Sequence, residues 1–550
     1  MSATVVKDSP AIGEPAAKSK TRLSSRSLLL HSAVVVVFTA LLLAVYHVMY
    51  FQGIRSSDGA NYATIARNIA EGKGLISSVI QPGLMTVVPS TRDGQAFVIQ
   101  APLWPIVLGY WFKLFGVSTL ALEALAGLLF TIGVVECWWL GYLLSKRVAA
   151  AYVAVALLAS NPLIIGHIMA GSNVVLQGAI IGALFILMYC RLRWWTVLLS
   201  GILLGLGSVT RENTAFLGAG LALCWLLQLR KKRPGKYWLP APRALATGAV
   251  CVVIVALLAW VPVSIEASRK AHAIGRADAP VMRLTALYET PAIDTGWYFI
   301  YDSPALQVNP VDYFREHPDQ LLKKVIFQIR VAFIQQTVPA LLSYTPLFIP
   351  VLLPWSLRSI RARAIGYALL LVLAIQVVVS SLSILNYIYF IAFLPVICAL
   401  VAASVAALVA GAFAGFRKGW MWPLRIVLAA YGLLPIVVNA YHMGRGEPVL
   451  TGDYQTFLTP DQEARLTNFI RSNTTSGSTI VMAFSPLMAW DTERTIIQYT
   501  SAPRYRPGPG EMWQRIDQQV PIDHVLFTSL IFEDESAPML PGFHLESTLA

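Results

Sequence analysis

The chain has 550 residues, of which 56% are hydrophobic and 13% charged. A soluble domain carries about 25% charged residues, so this composition excludes an ordinary soluble enzyme. The net charge of +13 does not point to nucleic acid, because Lys and Arg lie in short clusters between apolar runs, as the cytoplasmic anchors of membrane helices do. Cys137, Cys190, Cys224, Cys251 and Cys398 all fall inside apolar runs with no CxxC pair, and read as small core residues.

Residues 1–26 form a polar tail ending in Lys18, Lys20, Arg22 and Arg26. The run that follows, Leu28 to Tyr50, is longer than the apolar region of a signal peptide and reads as a retained span. Further runs predict spans near 118–144, 148–160, 173–190, 194–209, 214–229, 245–264, 340–357, 364–384, 388–411 and 421–441. The chain is thus expected to be a polytopic α-helical membrane protein with about eleven transmembrane helices. Basic clusters place the N-terminus in the cytoplasm, and an odd number of spans places the C-terminus on the outer side of a cell (inner) membrane. The expected organisation is a cytoplasmic tail (1–26), a transmembrane domain (27–447) with outer loops at 51–117 and 265–339, and a small extracytoplasmic α/β domain (448–550).

In the first outer loop, Tyr62, Ile65, Ala66 and Ile69 share one face of a short amphipathic helix that Gly72 and Gly74 end. Such a helix is expected to lie along the membrane surface, with Arg67 on its polar side. Asp58, at its start, reads either as the N-cap or as a carboxylate ready to take a proton. Pro82-Gly83 and Asp93-Gly94 then mark turns of a hairpin-like excursion, and Pro102 to Gly116 predicts a second surface helix.

Further along, Thr210–Asn213 joins two spans of about 16 residues, each about 24 Å long and shorter than a ~30 Å bilayer core. Arg211 is therefore expected slightly below the outer surface, held either by a carboxylate such as Glu212 or Glu123 or by a lipid phosphate. In the last hundred residues, Pro460 starts a helix, and Thr479–Phe484, Thr495–Tyr499 and His524–Thr528 read as short strands. Trp490 reads as a core aromatic or a sugar contact.

Several of these segments resemble the GT-C glycosyltransferases. Asp58 with Tyr62 and the Ala-Arg-Asn-Ile-Ala-Glu-Gly stretch, directly after the first span, is similar to the family's first outer loop. Ala101-Pro102-Leu103-Trp104-Pro105 through Phe115-Gly116, Gly201–Arg211, and the helix around Tyr313, Arg315, His317 and Pro318 resemble further family segments. The closest resemblance is to bacterial members similar to the lipid A aminoarabinose and protein O-mannosyl transferases. Members with Lys or Arg before the paired prolines contrast with Gln100-Ala101-Pro102 here, and an Arg-Tyr pair before a late span is replaced by Asn386-Tyr387.

The resemblance implies transfer of a sugar from a polyprenyl-phosphate donor to a lipid, glycan or protein acceptor on the outer face, with inversion, and with Asp58 as catalytic base. Arg211, Arg55 and Arg92 are the candidates for the donor phosphate. Tyr62, Glu212, His167, Asn173 and Tyr387 are the candidate substrate contacts. Metal- and cofactor-independent action is the default expectation, with a divalent metal site assembled from scattered outer carboxylates as the alternative that no spacing supports; the partners are the lipid-linked donor, the acceptor and membrane lipids. A lipid or glycolipid flippase that breaks no bond, and a non-catalytic membrane scaffold, remain the competing expectations.

Overall fold

A first span whose surface is apolar nearly all round sets the class of the fold. In the computed structural model, α1 (Ser25–Tyr50) starts at Ser24, whose side chain accepts from the backbone N–H of Ser27 at 3.2 Å. Leu29 and Val48 on this helix are 67% and 83% exposed. Apolar surface of that extent needs lipid around it. The structure describes residues 24–96, 102–230, 246–265, 310–338, 357–415, 422–444, 460–498 and 509–526, less single positions and short stretches inside those ranges.

The segment after α1 folds as α2 (Ser57–Ala70), β1 (Ile76–Ser77), β2 (Val79–Ile80), β3 (Ser90–Thr91), β4 (Gly94–Ala96) and α3 (Leu103–Phe115). The apolar helices α4 (Thr119–Ser145), α5 (Val148–Ala159), α6 (Pro162–Met169), α7 (Val174–Tyr189), α8 (Trp194–Thr210) and α9 (Leu217–Arg230) follow. Next come α10 (Gly248–Leu258), α11 (Pro310–Glu316) and α12 (Pro318–Phe327), which runs into a π-helical stretch at Gln328–Thr337. The last membrane helices are α13 (Ile360–Ser381), α14 (Leu394–Gly415) and α15 (Trp422–Gly444).

Each expected span except 340–357, which lies outside the described residues, coincides with one of these helices; the span at 245–264 is helical over α10. Among the described residues α1, α4, α13 and α15 are long and apolar enough to cross a membrane alone. α5 and α6 are long and apolar enough only as a pair, and the pair is bent by 56°, because Pro162 starts a new helix and Asn161 caps it by accepting from Leu163 N–H at 3.0 Å. The protein is a polytopic helical membrane protein.

α4, α5, α7 and α14 pack together as the centre of the bundle, and α7 is buried along almost its whole length. Close crossings use small residues: a Cβ on Gly141 of α4 would come within 3.1 Å of Ala151 on α5. Polar ties fix α1 to the bundle. The Tyr46 hydroxyl donates to the Ala159 carbonyl at 2.7 Å, and His47 Nδ1 meets Glu123 Oε2 at 2.6 Å. Glu123 therefore serves α1, not Arg211.

The C-terminal part contains α16 (Pro460–Asn473), β5 (Thr479–Met482), α17 (Ser485–Thr492), β6 (Thr495–Gln498), α18 (Pro509–Gln519) and β7 (His524–Val525). Its parallel sheet has the order β2-β6-β5-β7, so one edge strand comes from the segment between α2 and α3, with Val79 opposite Ile496 and Ile80 opposite Ile497. Side chains alternate across the sheet. Val79, Ile480, Met482 and Ile496 pack with Leu466 and Met488 on one face, and Ile80, Val481 and Ile497 pack with Ile516 and Val520 on the other. Both faces are thus covered by helices, as a parallel sheet requires. A second, antiparallel sheet, β1-β4-β3, turns through Arg92-Asp93 into Gly94, whose φ of +131° and contact with the Ser77 carbonyl admit no side chain.

Candidate functional site

α2 carries the candidate base, and its start is set by a residue other than that base. The Ser56 side chain accepts from Gly59 N–H at 3.1 Å and is the N-cap; Asp58 sits in the first turn. The capping role expected as one alternative for Asp58 thus belongs to Ser56. The Asp58 carboxylate lies at the positive end of the helix and is partly exposed.

The helix does not lie free along a surface as the sequence predicts. Gly59, Ala60 and every residue from Tyr62 to Ile69 are buried. A Cβ on Gly59 would fall 1.7 Å from the Ala170 carbonyl, and one on Gly109 of α3 would fall 2.7 Å from Ile69, so two glycines let α2 nest between the end of α6 and α3. Trp104 of α3 closes this layer by donating Nε1–H to the Gly171 carbonyl at 3.0 Å. Arg67, expected on a polar face, is only 7% exposed and is hydrogen-bonded to the C-terminal part.

One turn after Asp58, the Tyr62 hydroxyl is the point where the site converges. Burial pushes its pKa up; the Asp58 carboxylate pushes it further up and the Arg211 guanidinium pulls it back, with Tyr389 adding a smaller upward push. Asp58 and Arg211 therefore act on the same hydroxyl from two different elements. Asn173, just before α7, donates to that hydroxyl at 3.2 Å and to the Thr210 carbonyl at 3.4 Å, tying α2 to the end of α8.

Arg211 is the C-cap of α8, and α8 at 17 residues is about 26 Å long, which sets its end below a ~30 Å surface. Its guanidinium lies 5.0 Å from the centre of the Tyr389 ring. Among the described residues it forms no ion pair, and its Nη1 is buried without a hydrogen-bond partner. Glu212, the expected structural partner, is exposed in the 3-10 turn Glu212–Phe216. Beneath lies an amide cluster: Gln177 donates to Asn213 Oδ1 at 2.9 Å and to Thr214 Oγ1 at 3.1 Å, while Asn173 Oδ1, Gln177 Oε1 and Asn213 Nδ2 keep unused hydrogen-bonding capacity.

His167 of α6 is fully buried and feels the Arg211 charge, so it belongs to the same neighbourhood. Asp58, Tyr62, Asn173, Arg211 and His167 are thus brought together. Arg92 is not: it sits in the exposed β3–β4 turn and pairs with Asp523 at 3.2 Å. Arg55 and Tyr387 lie outside the described residues. Tyr389, Gln177 and Asn213 are additions to the sequence reading. Tyr389 stands two positions from Tyr387, and Gln177 stands one helical turn from Asn173 in an otherwise apolar run, which is the signal that marks it.

No protein-family model and no curated protein matches this chain. Among solved structures it is similar to two crystal structures of ArnT from Cupriavidus metallidurans, one in the apo state and one bound to undecaprenyl phosphate. Each is 14% identical and is covered over 90% of both chains, with a TM-score of 0.42.

Proposed function

We propose that this protein is a membrane glycosyltransferase that moves a sugar from a polyprenyl-phosphate donor to a lipid, glycan or protein acceptor on the outer face of the membrane, with inversion. In this reading the Asp58 carboxylate takes the proton of the acceptor hydroxyl. The acceptor oxygen forms a bond to the anomeric carbon as the bond from that carbon to the phosphate oxygen breaks, and the electron pair leaves with the phosphate. Arg211 stabilises that charge.

The observation that carries the reading is that Asn173 ties Tyr62, one turn after Asp58, to the end of α8, where Arg211 keeps one buried guanidinium nitrogen unfilled. A buried donor left without a partner costs roughly 1–3 kcal/mol. A phosphate oxygen supplies the missing acceptor in a charge-assisted bond.

The test uses full-length protein in lipid nanodiscs with a polyprenyl-phosphate sugar. Wild type is expected to release polyprenyl phosphate, and Asp58→Asn to slow release about 10²–10⁴-fold while still binding donor, since Asn keeps the shape and loses the base. Lipid translocation without release, or normal release by the variant, would refute this reading.

A further inference from the structure

The two ends of α2 are fastened to different parts of the molecule. Its first two turns rest on the membrane domain through Gly59 and Tyr62. Its last turn rests on the C-terminal part through Arg67, whose Nη1 donates to the Trp490 carbonyl at 3.0 Å and whose Nη2 donates to the Ala489 carbonyl at 2.9 Å. The Arg67 guanidinium also lies 5.4 Å from the Trp490 ring centre, and Phe112 of α3 stacks on that ring at 6.0 Å.

The acceptors explain why an arginine stands there. Ala489 to Thr492 are the last four residues of α17, and the final four carbonyls of a helix have no partner within it. Three arginines cover them. Arg471 donates to Asp491, Arg494 to Thr492, and Arg67 to both Ala489 and Trp490. Two of these caps belong to the C-terminal part; the third is lent by the helix that carries Asp58. The guanidinium fork matches two adjacent carbonyls, and its charge suits the negative end of α17. In the same last turn, Asn68 donates to the Ile76 carbonyl at 2.8 Å, and β2, shortly after α2, joins the C-terminal sheet beside β6. α2 runs unbroken from Ser57 to Ala70, so a tie at Arg67 acts on Asp58 about 14 Å away as through a rod.

We infer that Arg67 is a positioning residue: by capping α17 it makes the C-terminal α/β unit the part that fixes the Asp58 carboxylate in place. The inference rests on the glycosyl-transfer reading above. Displacing a reacting group by about 1 Å can cost roughly 10²-fold in rate, so the clamp acts on turnover more than on donor binding.

The experiment compares Arg67→Gln, Arg67→Lys and Arg471→Gln in full-length protein in nanodiscs. Arg471→Gln is the structural control, because it uncaps the same helix without touching α2. Two quantities are read: kcat and KM for a polyprenyl-phosphate sugar, and amide hydrogen exchange across residues 57–62. Arg67→Gln is expected to lower kcat about 10- to 100-fold, leave donor KM within about twofold, and raise exchange at residues 57–62. Arg67→Lys, which keeps the charge but not the fork, should fall between, and it keeps the inference testable if the Gln variant does not fold. Arg471→Gln should change neither. Equal kcat losses in Arg67→Gln and Arg471→Gln, unchanged exchange at 57–62, or a loss confined to KM would each overturn the inference. The exchange arm needs no turnover, so an inactive wild type would sink the proposed reaction and still leave the clamp judged.

Discussion

Arg67 and Arg211 stand in two seams that meet at α2, and they are satisfied in opposite ways. Each lies against an aromatic ring, Trp490 for Arg67 and Tyr389 for Arg211. At the seam with the C-terminal part, Arg67 spends its nitrogens on two carbonyls. Burial lowers its pKa, and the carboxylates of Glu493, Glu71 and Asp491 push the other way, so the charge is offset locally. At the seam with α7 and α8, Arg211 keeps a buried nitrogen unfilled among the described residues. A guanidinium whose two terminal nitrogens are both bonded is joinery, whereas one with a buried terminal nitrogen unfilled is a receptor for an anion.

The largest expected effect follows from that contrast. Arg211→Ala should weaken donor-lipid binding about 10- to 100-fold, the worth of a charge-assisted hydrogen bond of about 1.5–3 kcal/mol, with little change in Tm. Arg67→Ala should do the reverse on the stability axis, because it strands the Ala489 and Trp490 carbonyls at roughly 1–3 kcal/mol each. Direct binding of undecaprenyl phosphate and thermal unfolding of both variants check the pair. A large Tm loss in Arg211→Ala with unchanged lipid binding would make Arg211 a scaffold residue and erase the difference between the seams.

Gly59→Ala is the next sharpest probe, because it acts on the membrane-side support of α2 without altering any charge. Its added methyl would meet the Ala170 carbonyl at 1.7 Å, so either α2 or the end of α6 must move. Overpacking of this kind costs about 1–3 kcal/mol. The variant should lose both stability and turnover, and thermal unfolding alongside donor turnover would show it. Wild-type values in both would mean that this end of α2 is free to shift.

What the sequence carries plainly is what short stretches decide. Apolar runs locate α1, α4 and α13; Gly72 and Gly74, with φ of +84° and +98°, end α2 where their chemistry says it should end; and Asp93-Gly94 turns the β3–β4 hairpin. The neighbourhood of Asp58 with Tyr62 is legible too, since one helical turn separates them. What the chain hides is contact across distance. Arg67 looks like a solvated charge on an amphipathic helix because its acceptors are more than 400 positions away, on residues whose side chains give no hint that their carbonyls need a donor. β2 is two residues long and reads as loop until β6 supplies its partner. Tyr389 under Arg211 belongs to the same class of fact.

Arg92 marks the low end of the scale and tests whether the donor site extends beyond the Arg211 seam. By its position in the loop after α1 it is a candidate for the donor phosphate, yet its guanidinium meets Asp523, and both side chains are substantially exposed, at 54% and 30%. Water and salt screen such a pair, which is typically worth about 0–1 kcal/mol. The backbone carbonyl of Arg92, which accepts from the Thr495 hydroxyl at 2.6 Å, survives any side-chain change and keeps the hairpin on the sheet. Arg92→Ala should therefore leave Tm nearly unchanged and shift donor affinity by less than about twofold. Titration of undecaprenyl phosphate at two salt concentrations decides the matter. A loss of about tenfold at low salt, absent from an Asp523→Asn variant, would mean that Arg92 leaves its partner to meet the lipid phosphate, and that the donor is held from the hairpin side as well as from α8.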